Sequence, residues 1–244
     1  MQKIIHREKE RGGGEYGWLQ TRYSFSFADW YEPTRLGFGR LRVINDDLIA
    51  PLGKFGMHPH RDFEIITIPL SGAVTHEDSL GNKGEVRTGE VQAMSAGTGV
   101  VHSEYNASKT EPLSLFQIWI EPNVQSAKPQ YTQARFDPAV RKNSWQVLVS
   151  GDGVPGTLPV YQDARIARAD MEVGTSLSYA IAHKGNGAYI LVIEGEVEIE
   201  GEHLSKRDAM GISEADNFSI SAITPASLLL IEVPVRLGKF NASK

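Results

Sequence analysis

Residues 69–78 read PLSGAVTHED, and residues 192–201 read VIEGEVEIEG. Each sets a glycine between an apolar run and a run that alternates apolar with polar residues. Alternation with a period of two is the mark of a strand with one buried face, and a glycine at the junction allows a tight reversal. The same style recurs along the chain. GRLRVIND (39–46), FEIITIPL (63–70), EVQAM (90–94) and LSLFQIWI (113–120) read as strands in the first half. SLSYAIA (176–182), AYILVIEG (188–195), EVEIEG (196–201), AMGIS (209–213), FSISAI (218–223) and SLLLIEVPV (227–235) do so in the second. A turn is expected at Asn45–Asp46–Asp47, and GNKG (81–84) is expected to close a hairpin. Short strands punctuated by Gly, Pro, Asp or Asn indicate an all-β sandwich or barrel. GEVQAMSAGTGVVHSE (89–104) and KRDAMGISEADNFSIS (206–221) also run in parallel, so two similar β domains in tandem are expected. The boundary is placed between 135 and 136, within a polar, proline-bearing connection at 122–144, where FDPAVRKN (136–143) can hold a helical turn. The tail RLGKFNASK (236–244) is expected to be loosely held or packed on the surface.

The chain has 244 residues, 41% hydrophobic and 23% charged, which is a globular composition. A net charge of −5 argues against a nucleic-acid surface, because binding a phosphate backbone needs a positive patch. With no cysteine, disulfides, thiolate metal sites and cysteine nucleophiles are excluded. The start, MQKIIHREKERGGGEYGW, has no apolar signal segment, and no apolar run is long enough to span a membrane. A soluble cytoplasmic protein is expected, and a monomer, since two β domains can cover each other's exposed faces.

Four of the seven histidines, at 58, 60, 76 and 102, lie in or between HPHRDFE (58–64) and HSEYN (102–106). On an extended strand His58 and His60 point the same way. His102 and Glu104 repeat that spacing. If the two strands are neighbours, three imidazoles and a carboxylate converge on one point. Such donors suit a first-row divalent metal, namely iron, nickel, copper, manganese, cobalt or zinc, better than calcium. Glu64 shares the parity of His58 and His60, so it is read as a fifth ligand, an acceptor for a ligand imidazole, or a surface residue. His76 is expected to face solvent. Tyr23, Phe25 and Phe27 alternate and are expected to share one strand face, packing the core. Met94 and Phe116 are read as core residues that can also wall a cavity. Asn106 is expected to bond its own turn, and Gly97 and Gly99 to bend the backbone before the ligand strand. The second half holds only His183 and His203, with no HxH pair.

The stretches GWLQTRYSFSFADWY, LRVINDD, HPHRDFEIITIPLSG, THEDSLGNKG, MSAGTGVVHSEYN and LFQIWIEP together resemble the pirin family of the cupin superfamily, densely over residues 12–122 and more weakly beyond. They are particularly similar to bacterial pirin-like proteins described as quercetin 2,3-dioxygenases. HPHRDFE with Gly72 fits the first cupin motif, and His102 to Asn106 fits the end of the second. The proline usual before the glycine of that motif is replaced in Ser95-Ala96-Gly97. The resemblance implies an all-β bicupin of two tandem cupin-type β-barrels, or jelly rolls, with metal in the first only. It implies His58, His60, His102 and Glu104 as ligands and iron as the favoured metal. The implied reaction is flavonol ring opening by O2 with loss of carbon monoxide, Glu104 taking the 3-hydroxyl proton and Glu64 being the second candidate base. A metal-binding regulatory protein acting through protein–protein contacts is the alternative the same resemblance allows.

Overall fold

The computed structural model describes residues 1–235, so the expectation for the tail 236–244 lies outside the described residues. Apart from two short 3₁₀ turns, the regular structure of the described residues is all strand, arranged in two large and two small sheets. The front large sheet runs, edge to edge, Gln130–Arg135, Glu90–Ser95, Glu64–Ser71, Leu113–Ile120, Leu41–Ile49, Leu19–Tyr23 and Gly12–Glu15. The front small sheet runs Lys54–His60, Val100–Asn106, Ala73–Asp78 and Lys83–Arg87. In the second half a large sheet is centred on Asn186–Glu194 and Ala226–Pro234. A small one comprises Ser176–Ala180, Asn217–Ala222, Val197–Ile199 and Glu202–Leu204. The strand Gln2–His6 pairs with Ala209–Ser213 at the edge of the rear large sheet, so the chain begins in one half, builds the other and returns.

The expectation of closed barrels is corrected here. Each of the four sheets is a linear array with two edge strands, and among the described residues no hydrogen-bonded pairing closes any of them on itself. Two-faced alternation requires that one face of each strand be covered, and a second sheet covers it as well as closure does. Each half is therefore a two-layer, cupin-like sandwich of open sheets.

The two large sheets pack against each other. Their shared core includes Leu41, Ile44, Ile66, Ile68 and Phe116 from the front with Ile166, Tyr189, Leu191, Leu229 and Ile231 from the rear. Truncating one such buried side chain to alanine typically costs about 2–5 kcal/mol. A partly buried ion group crosses the same seam: Asp46 accepts from Arg11 at 3.2 Å and pairs with Arg207 at 2.8 Å. The connection resolves as the edge strand Gln130–Arg135 and a 3₁₀ turn, Pro138–Arg141. Asp137 caps that turn by accepting from the Ala139 amide at 2.9 Å, and proline at its start loses no hydrogen bond.

Two local expectations change. No turn forms at Asn45–Asp47, because the strand Leu41–Ile49 runs straight through. Burial rather than intrinsic β-propensity decides that segment, with Asp47 itself buried. The alternating rings also divide. Their strand ends at Tyr23, beyond which Phe25 turns to the seam, 5.2 Å from Tyr189, while Tyr23 and Phe27 face a front cavity.

Candidate metal centre

The front small sheet assembles the histidines. Lys54–His60 pairs antiparallel with Val100–Asn106, placing His102 opposite His58 and Val100 opposite His60. The three rings face one another, with centroids 4.4 Å apart for His58 and His102, 4.8 Å for His60 and His102, and 4.9 Å for His58 and His60. One ring nitrogen from each lies within 4.8 Å of the others. The preceding bend needs its glycine: Gly97 has φ +46°, and a Cβ there would sit 2.0 Å from the Ala127 carbonyl oxygen.

Protonation suits these rings to bind a cation. Burial, then the neighbouring His102 and His58, push His60 down to about 4. Burial, then His58 and His76, push His102 down to about 3. Both are neutral at pH 7, with lone pairs available. The Gly56 carbonyl accepts from His58 Nδ1 at 2.7 Å, which selects the tautomer whose lone pair lies on Nε2. The buried His102 Nε2 has no hydrogen-bond partner among the described residues.

Glu104 lies beyond a β-bulge at 102–104, which shifts it to face Phe55. It is buried and lines the same cavity as His58 and His60, but its carboxylate groups within 4.8 Å with His102 and His76 rather than with all three histidines. Thr67 and Gln92 donate to Oε1 at 3.1 and 3.3 Å, and Gln117 donates to Oε2 at 2.6 Å. Every one of these donors is neutral. Among the described residues, this buried carboxylate is held without a cationic side chain, beside three imidazoles and an orphaned nitrogen, a donor set that a divalent cation completes.

His76, expected at the surface, is fully buried. Its Nε2 meets Asp78 at 3.1 Å, its Nδ1 lies 3.4 Å from His102 Nδ1, and its ring stacks on Tyr131 at 4.7 Å. Asp78, His76 and His102 thus form a chain that orients the His102 ring. Burial pushes Asp78 up, but bonds from Asn82 and His76 outweigh it and hold the carboxyl below its usual range. The signal that identified this role was available: residue 76 shares strand parity with Val74, a core residue.

Glu64 does not join the cluster. Residues 61–63 separate two strands in different sheets, with Asp62 at φ +50°, so the parity linking Glu64 to His60 is broken. Its carboxyl accepts from Ser95 Oγ at 2.5 Å and from the Tyr161 backbone, on the seam side, and burial raises it to about 7. Asn106 holds the turn after its strand, donating to Ile49, Ala50 and Glu111 carbonyls and accepting from Ser108.

The site opens into a cavity of about 500 Å³. Trp18, Phe27, Phe55 and Trp119 give it aromatic walls, whereas Met94 and Phe116 sit in the apolar cores. Thr21, Asn45 and Trp119 each bring a buried polar atom with no protein partner among the described residues. Asp47 also lines the cavity, raised to about 7 chiefly by burial. Reading residues 45–47 as a turn hid it.

Fold and site together define a two-domain, cupin-like β protein with a histidine-rich metal centre in its front half. Residues 5–120 match the pirin family, and residues 147–233 match the quercetinase C-terminal cupin domain. The quercetin 2,3-dioxygenase of Escherichia coli K12 is 43% identical over 94% of this chain and 98% of its own. A pirin-like protein of Caulobacter vibrioides is 41% identical over 91% of this chain and 95% of its own. The crystal structure of the bacterial pirin YhhW of Escherichia coli in complex with nickel(II) superposes with a TM-score of 0.90. It is 42% identical, covering 96% of this chain and all of that one. This chain belongs to the pirin family.

Proposed function

We propose that this protein is a metal-dependent dioxygenase that opens the central ring of a flavonol such as quercetin with O2, releasing carbon monoxide. The observation that carries this reading is the cluster of three imidazoles at the end of an aromatic-walled cavity, in a chain closely similar to a quercetin 2,3-dioxygenase. His58, His60 and His102 would hold the metal, with Glu104 as the fourth donor. Iron(II) is the proposed ion, since imidazole and carboxylate donors with open positions suit its oxygen chemistry. When bound, the metal would supply Lewis acidity toward the flavonol 3-oxygen.

The chain's own residues do the rest. Trp18, Phe27, Phe55 and Trp119 seat a planar polycyclic substrate and exclude water. The unpartnered polar atoms of Thr21, Asn45 and Trp119 offer hydrogen bonds to its hydroxyls. Glu104 takes the 3-hydroxyl proton, while Gln117, Gln92 and Thr67 hold its carboxylate in place. Because Glu64 bonds Ser95 away from the histidine cluster, it plays no part in this step.

The test is an aerobic assay of iron-loaded protein with quercetin, following flavonol absorbance and carbon monoxide. His58→Ala removes metal and turnover together if the reading holds. Turnover that persists in metal-free protein refutes it.

A further inference from the structure

A second cavity, of about 430 Å³, lies where the two halves and their connection meet. Four arginines line it: Arg135 and Arg141 from the connection, Arg168 from the strand Arg165–Met171, and Arg207 from the turn before Ala209–Ser213. Among the described residues its lining holds one carboxylate, Glu194, and Lys206 already pairs with that at 2.8 Å. This concentration of positive charge stands out on a chain of net charge −5.

The arginines are only partly engaged. Arg207 donates Nη1 to the Ile193 carbonyl and pairs its Nε with Asp46, both at 2.8 Å, while its guanidinium lies over the Phe116 ring at 5.2 Å. Nη2 is left over. Arg141 gives its Nε to Asp170 at 2.6 Å. Asp170 is also taken up by the Ser227 hydroxyl at 2.7 Å. Arg168 donates Nη2 to Ser227 Oγ at 3.1 Å, and its Nε is buried with no partner among the described residues. Burial, then the positive charge of Arg141, push Arg168 down to about 10, with Arg207 adding to the effect. Among the described residues Arg135 has no hydrogen-bonded carboxylate, and its side chain is exposed at the mouth. The four guanidinium groups have two carboxylate partners, Asp46 and Asp170, and Asp46 is shared with Arg11, so positive charge stays in excess around the space and the groups repel one another. A small anion bearing two negative charges removes that repulsion and uses the unpaired forks.

We propose that this seam cavity is a binding site for a compact dianion, a phosphate group or a small dicarboxylate, held between Arg135, Arg141, Arg168 and Arg207. The site is separate from the metal centre and independent of the chemistry there. Since its walls come from both halves, occupancy ties them together and raises the melting temperature of the whole chain.

Isothermal titration of the full chain with sodium phosphate, and separately with sodium succinate, tests this at pH 7.5 in a non-coordinating buffer of matched ionic strength. Saturable binding of either anion is expected, and which of the two binds identifies the ligand class. Arg168→Gln keeps the Ser227 contact and is expected to weaken binding at least ~10-fold, as charge-assisted bonds are lost. Arg135→Gln, exposed and structurally undemanding, is expected to weaken it several-fold with folding intact, quercetin turnover being unchanged in both variants. No saturable heat with either anion, or equal affinity in the wild type and both variants, overturns the proposal.

Discussion

The two halves share a plan but fill it differently. Between the rear sheets lies one continuous apolar cluster, including Tyr179, Ile190, Val197, Ile199, Phe218, Ile220 and Leu228. Between the front sheets the apolar residues split. Leu19, Ile49, Val74 and Leu113 gather in one cluster and Ile65, Met94 and Val100 in another, with the histidine centre as the polar element of the same sandwich. The buried glutamates make the contrast sharper. Glu232 in the rear is enclosed by the Tyr179 hydroxyl, the Ala182 and His183 amides and the Asn186 side chain, at 2.8 to 3.1 Å. Glu104 in the front is held by neutral side chains on a cavity wall. A carboxylate closed off by backbone donors locks a fold; one left facing a cavity can serve a ligand.

The largest effect that follows is on the front acid and its neighbours. His60→Ala is expected to lower metal affinity more than 100-fold and abolish turnover, because loss of a ligand exceeds the 10–100-fold typical of its supporting residues. Metal analysis after desalting, with the quercetin assay, reads this out. Equal metal content in variant and wild type would dissolve the distinction between the halves.

Next in size is the rear core. Phe218→Ala is expected to cost about 3–5 kcal/mol of stability in a denaturant titration, with the metal content of the folded protein unchanged. Glu232→Gln follows. Whichever oxygen becomes a donor then faces the Ala182 amide, which bonds both, and the loss of charge-assisted bonds costs about 1.5–3 kcal/mol without altering metal affinity. Were Glu232→Gln to release metal, the rear glutamate would belong to the centre after all.

Acidity provides the smallest and most selective comparison. Folded His60 titrates at about 4 and His102 at about 3, both below the usual value of 6.5. Between pH 6.5 and 4 the unfolded chain therefore takes up protons that the folded metal-free protein refuses. These groups favour folding fully above pH 6.5, and that contribution falls as the pH is lowered. Asp47 and Glu64, raised to about 7, act in the opposite sense, since their protonation below pH 7 favours the folded state. The metal-free His60→Asn variant isolates the imidazole: between pH 7 and 5 it is expected to lose less melting temperature than the wild type. An identical loss in both would remove the case for a desolvated His60.

The strands and the clustering of His58, His60 and His102 were legible because both depend on a period of two. His58-Pro59-His60 needs only one extended strand, and His102 needs only a neighbour. Sheet closure was not legible, because alternation says which face is covered and not by what. Glu64 misled for a related reason: parity holds within one strand, and Asp62 turns the chain between sheets. His76 and Asp47 were missed because polar residues on strands were read as solvent-facing or turning. Here their burial follows from layers that the linear pattern does not name.

The most direct test pairs metal content with turnover in wild type and His102→Ala, each loaded with iron and desalted under identical conditions. One metal per chain and quercetin cleavage in the wild type, with both lost in the variant, is the predicted result. Full metal retention by His102→Ala, or cleavage by a metal-free chain, would contradict it.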